Sequence, residues 1–131
     1  MRKLAFALAI PALIAAVPAS AEVIGGVHVA VNRHEYRGTG CPIEVVFTAS
    51  VHITQDHGPG AAFNYHWERS DGGKSGVHVE KVGAGGRTMV FKDKWRLGKP
   101  GSVHDVNATF HVNSGNQHIQ ETSETVHIEC R

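Results

Sequence analysis

The chain has 131 residues with 13 basic, 12 acidic and 10 histidine side chains, a formal charge of +1 with His neutral. That length fits one globular domain behind a leader, and so balanced a charge excludes the basic footprint of a nucleic-acid binder. Beyond the leader, no segment is long and apolar enough for a stable membrane span.

Arg2 and Lys3 precede an apolar run from Leu4 to Val17, and Ala19-Ser20-Ala21 follows as a small-residue cleavage site. This is the pattern of a secretory signal peptide over residues 1–21, so an exported protein is expected, periplasmic or extracellular. The mature chain would be 22–131, a single domain. Without Arg2 and Lys3 it keeps 11 basic residues against 12 acidic ones, a formal charge of −1. Cys41 and Cys130 are the two cysteines, and in an oxidising compartment an even pair reads as a disulfide.

Val27, Val29 and Val31 alternate with His28 and Ala30, which predicts a first strand. Residues 32–40 read as a connection or short edge strand. Ile43 to Thr54 is the longest alternation, with Ile43, Val45, Phe47, Ala49, Val51 and Ile53 on one face, and reads as a central strand. After a Gly- and Pro-rich turn, Ala61 to Arg69 places Phe63, Tyr65 and Trp67 on one side and Asn64, His66 and Glu68 on the other. Asp71-Gly72-Gly73 then turns the chain.

Further strands are expected over Ser75–Val82, Thr88–Trp95, the run from Val106 to Val112, and His118–Cys130. No stretch holds a helical period. About seven short strands separated by frequent turns predict an all-β, immunoglobulin-like antiparallel sandwich. Its core should include Val45, Phe47, Val51, Phe63, Tyr65, Trp67, Phe91, Phe110, Val112 and Ile128.

Cys41-Pro42, the block Phe63-x-Tyr65-x-Trp67-x-Arg69-Ser70-Asp71-Gly72, Trp95-x-Leu97-Gly98 and the terminal Cys130 together resemble a group of small secreted bacterial immunoglobulin-like domains. The similarity runs from about Val27 onward, and its most specific part is the Tyr-x-Trp-x-Arg-Ser-Asp-Gly block. The group carries no assigned enzymatic activity, so the resemblance implies a fold and a compartment. Antibody-type domains match less well, because Trp67 lies 26 residues beyond Cys41 and the second Cys is on the final strand.

Histidine is the unusual component. If the sandwich has the expected strand order, His66, His78, His111 and His127 gather on one exposed sheet face. Such a face could bind a borderline metal such as Zn²⁺ or Cu²⁺. The plainer reading is scattered polar surface, since no His-x-His or His-x₃-His spacing occurs. Protonating all 10 imidazoles would also move the charge of the mature chain from −1 toward +9, which suggests a pH-responsive surface.

A third reading needs neither: a non-catalytic binding or structural module for a protein or glycan, with Tyr36, Trp95 and the Leu97–Gly101 loop as candidate contacts. A hydrolase is the weakest expectation. Ser70 and Asp71 are adjacent but form no triad, Gly-x-Ser-x-Gly is absent, and Gly72-Gly73-Lys74-Ser75 lacks the leading Gly of a phosphate loop. Arg69 and Asp71 read as a turn ion pair, and the Asn107-Ala108-Thr109 sequon as chance.

Overall fold

A computed structural model describes residues 22–131. The expected leader, 1–21, lies outside the described residues. The described chain is all β: β1 Ile24–Val31, β2 Glu35–Gly38, β3 Ile43–Ile53, β4 Ala62–Arg69, β5 His78–Lys81, β6 Arg87–Leu97, β7 Val103–Val106, β8 Ala108–Ser114, β9 Gln117–Thr122 and β10 Val126–Cys130. They form three sheets, ordered β1-β3-β6, β2-β10-β7 and β5-β4-β8-β9. No helix among the described residues is long and apolar enough to cross a membrane.

β3 is central, as its alternation predicts. Ile43, Val45, Phe47, Ala49, Val51 and Ile53 are all buried, and β3 pairs antiparallel with β1 on one side and β6 on the other. Its inner face meets that of the four-stranded sheet, where Phe63, Trp67, Ala108, Phe110 and Val112 are buried. Phe47 packs at 6.5 Å from the rings of both Trp67 and Trp95, and Trp67 meets Phe110 edge-on at 4.9 Å. Tyr65 and Phe91, expected in the core, are only partly buried; their rings lie 4.2 Å apart at its margin.

The strand count is ten, against about seven expected, because the 32–40 segment contributes the short edge strand β2 and two apolar runs each change sheet midway. The run through Val106 and Ala108 breaks at Asn107, whose N–H donates to Ser70 Oγ and whose carbonyl accepts from the Ser70 N–H. The run through Ile119 and Ile128 breaks near Ser123, a buried side chain whose Oγ accepts from the Ala108 N–H while its own N–H donates to the Ala108 carbonyl. β7–β8 and β9–β10 therefore bend together, and β10 leaves the four-stranded sheet to pair with β7 and, in parallel, with β2. β5 is shorter than the expected Ser75–Val82 strand, because Ser75 instead closes the turn onto both the N–H and the carbonyl of Trp67.

Two polar links join the sheets. The Gln117 side chain on β9 accepts from the Val23 and Ile24 N–H groups at 3.0 Å and donates to the Ile24 carbonyl at 2.8 Å, standing in for a strand neighbour. Arg69 on β4 forms a two-point pair with Asp93 on β6, both bonds at 3.0 Å. The expected Arg69–Asp71 pair does not form; Asp71 instead accepts from the Gly73 N–H at 2.8 Å. Cys41 and Cys130 form the expected disulfide across a separation of 89 residues, a bond characteristic of oxidising, non-cytoplasmic compartments.

Candidate functional site

The outer face of the four-stranded sheet is the most organised polar surface of the described chain. Burial of Phe63, Trp67, Phe110 and Val112 on the inner face fixes, by strand alternation, which residues point out. The register sets Asn64 opposite Asn113, His66 opposite His111 and Glu68 opposite Thr109. β9 extends these rows with His118, Gln120 and Thr122.

The rows are knitted by side-chain hydrogen bonds. Asn113 Nδ2 donates to Asn64 Oδ1 at 3.1 Å, and His118 Nδ1 donates to Asn113 Oδ1. The hydroxyls of Thr109 and Thr122 are 2.8 Å apart. His111 Nε2 donates to Glu68 Oε1 at 3.1 Å, and the Lys74 ammonium lies 3.9 Å from Glu68 Oε2. At the centre, the His66 and His111 rings are parallel to within 1° with centroids 4.5 Å apart. Partial burial holds the His66 pKa below the usual imidazole value; His111 and Lys74 push the same way, and Glu68 opposes them.

The four histidines do not share this face. His66 and His111 do. His78 sits opposite Tyr65 and stacks on its ring at 5.2 Å, so it belongs to the other face of the sheet. His127 lies on β10 in a different sheet, carried there by the break at Ser123. The shared-face expectation is thereby corrected to one pair. Within that pair the imidazole lone pairs lie in parallel planes, so one ion cannot meet both rings without a ring rotation. Among the described residues no three His, Cys, Asp or Glu side chains are grouped to hold a metal ion.

His127 has surroundings of its own. Its Nδ1 donates to Asp105 at 2.7 Å and its Nε2 to Glu129 at 3.1 Å, with Arg37 beyond at 3.4 Å from Glu129. Bonds to Asp105 and then Glu129 raise its pKa, and the His127 bond holds the Glu129 carboxyl below its ordinary value.

The two candidate contact residues serve the framework. Trp95 is 7% exposed, inside the core, with the Arg69 guanidinium over its ring at 5.1 Å. The Tyr36 hydroxyl accepts from the Gly40 N–H at 2.9 Å, and its ring packs against the core. The Arg69-Ser70-Asp71-Gly72 segment is likewise structural: it supplies the Asp93 pair, the Asn107 tie, the Gly73 cap and a positive φ of 95° at Gly72. Asn64, Glu68, Asn113, Gln120 and Thr122 were not singled out by sequence, although alternation alone puts Asn64 and Glu68 on the side of His66.

Compared with protein-family profiles, with curated proteins and with solved structures, the chain has no match.

Proposed function

We propose that this chain is an exported, non-catalytic recognition module of immunoglobulin-like form, which binds a polar partner, a glycan or protein surface, through the outer face of β5-β4-β8-β9. The observation that carries this reading is the hydrogen-bonded array around the His66–His111 stack. Amide, hydroxyl, imidazole and carboxylate groups are held at fixed spacing on strands anchored by a buried core, and such preorganisation lowers the cost of ordering side chains on binding. The immunoglobulin-like reading is supported by the bent hairpin β7–β8/β9–β10 and by the parallel placement of β2 beside β10. Export is supported by the disulfide and by the leader pattern in the sequence.

The test is binding of the oxidised chain to a glycan array and to immobilised envelope protein fractions, repeated with His66→Ala/His111→Ala. Loss of binding in the folded double variant, with amide shifts mapping to β4, β8 and β9, is the expected result. Binding that survives the double variant, or shifts that map to another sheet, would overturn it.

A second reading, a metal- or pH-responsive face, is favoured by the contact of His66 with His111 alone. Saturable ring shifts of both residues on adding Zn²⁺ or Cu²⁺ would support the metal form, and their absence would remove it.

A further inference from the structure

We propose that two copies of this chain associate edge to edge along β5, antiparallel about Val79, joining two four-stranded sheets into one continuous sheet. β5 is an outermost strand. In an antiparallel ladder, residues alternate between those whose N–H and C=O both face the neighbour and those whose groups face away. The Val82 N–H donates to the Ala61 carbonyl, and the same register pairs Glu80 with Phe63 and His78 with Tyr65. Val79 and Lys81 therefore turn their N–H and C=O groups outward, and Val77, one residue before β5, takes the same parity once pairing extends the strand to it.

The side chains agree with the backbone. Val77 and Val79 are 64% and 69% exposed, adjacent on one face of this open edge. Two of the other edges, those of β6 and β1, are guarded. β6 points Lys92, Lys94 and Arg96 to one face, where a symmetric pairing would oppose like charges. The edge of β1 is closed by the Gln117 side chain.

A two-fold axis at Val79 sets Val79 against Val79, Val77 against Lys81, and His78 against Glu80. Each outward N–H and C=O of Val77, Val79 and Lys81 then meets a counterpart, and the His78 imidazole faces the Glu80 carboxylate, a hydrogen-bond acceptor, in both symmetry-related positions. Centring on Val77 instead leaves Glu80 without His78. This association does not rest on the recognition reading, because edge pairing leaves the face around His66 and His111 open.

The test is sedimentation of the oxidised chain over a concentration series, together with cysteine cross-linking. A monomer–dimer equilibrium is expected. Val79→Cys should give a disulfide-linked dimer, since residues opposite each other in a hydrogen-bonded pair have Cα atoms about 5.5 Å apart, within the span of a disulfide. Val77→Cys, opposite Lys81, should not cross-link with itself but should do so with Lys81→Cys. Glu80→Lys should weaken association about tenfold, and His78→Glu/Glu80→Lys should restore it. A chain that sediments as a monomer at millimolar concentration, or Val77→Cys that cross-links as readily as Val79→Cys, would overturn the proposal.

Discussion

The rings of His66 and His111 lie parallel at 4.5 Å on directly opposed positions of β4 and β8, with Glu68 bonded to His111. Two protonated imidazoles in this arrangement would repel. The stack therefore disfavours the charged form of His66, and its contribution to stability depends on pH.

His66 is expected to titrate below an ordinary imidazole, because burial first and His111 second disfavour its charged form. With the folded pKa below the unfolded value of about 6.5, folding releases a proton. Stability linked to His66 is full above that value and falls as pH drops toward the folded pKa. His66→Gln should therefore lose less stability between neutral and mildly acidic pH than the parent chain. Urea midpoints measured across that range check this; parallel curves for the two chains would contradict it.

His127 should behave with the opposite sign. Its bonds to Asp105 and Glu129 raise its pKa, so its contribution is fully present below about pH 6.5 and is lost as pH rises through the folded value. His127→Ala should remove stability in mild acid and little in alkali. The lowered Glu129 carboxyl contributes above the unfolded carboxyl value and fails as pH falls through its own folded pKa. Ring-proton titration of the two histidines by NMR should give values on either side of a model imidazole.

Arg69 is expected to matter through Asp93 and Trp95. The two-point pair spans the sheets, Asp93 is 12% exposed, and the guanidinium covers the Trp95 ring. Arg69→Ala should cost about 2–3 kcal/mol in chemical denaturation, and Arg69→Lys more than half of that, since an ammonium reproduces neither the fork nor the stacking. Asp71→Ala, which removes only a turn cap, should cost about 1 kcal/mol or less.

Gly98 is fixed by the disulfide. It has φ of 102°, and a Cβ there would lie 2.6 Å from Cys130 Sγ and 3.3 Å from Cys41 Sγ. Gly98→Ala should destabilise the oxidised chain by about 2 kcal/mol or more, combining a left-handed backbone with a clash. Cys41→Ala/Cys130→Ala should lose about 4–5 kcal/mol through the freed loop. Adding Gly98→Ala to that double variant should cost less than it does alone, which a double-mutant cycle by urea denaturation measures directly.

The parts of the fold that could be read from sequence are those set by local alternation and by cysteine pairing. β3 and β4 each bury one face, so Phe47, Phe63 and Trp67 declare themselves. What escaped depends on partners distant in sequence. Val106 and Ala108 keep one parity across the break at Asn107, so the change of sheet leaves no mark on the pattern; it is written in the bonds of Asn107 to Ser70 and of Ser123 to Ala108. The four-histidine face failed for the same reason. Parity fixes which residues of a strand share a side, but the pairing of Tyr65 with His78 decides which side of the sheet that is. Arg69 sat near Asp71 in sequence and nearer to Asp93 in space.

The parallel pairing of β2 with β10 and the bond from Cys41 to Cys130 also determine how the domain answers tension. Pulling residue 22 away from residue 131 loads the β1–β3 pairing and the short Glu35–Gly38 ladder, the latter in shear, so that its hydrogen bonds resist together. Once both yield, only the stretch from Glu22 to Cys41 can extend, roughly 65 Å at the span of an extended chain. The 89-residue separation behind the disulfide stays closed. Under such a load the oxidised domain would extend only to a short, fixed stop, whereas the reduced domain could unravel along its length.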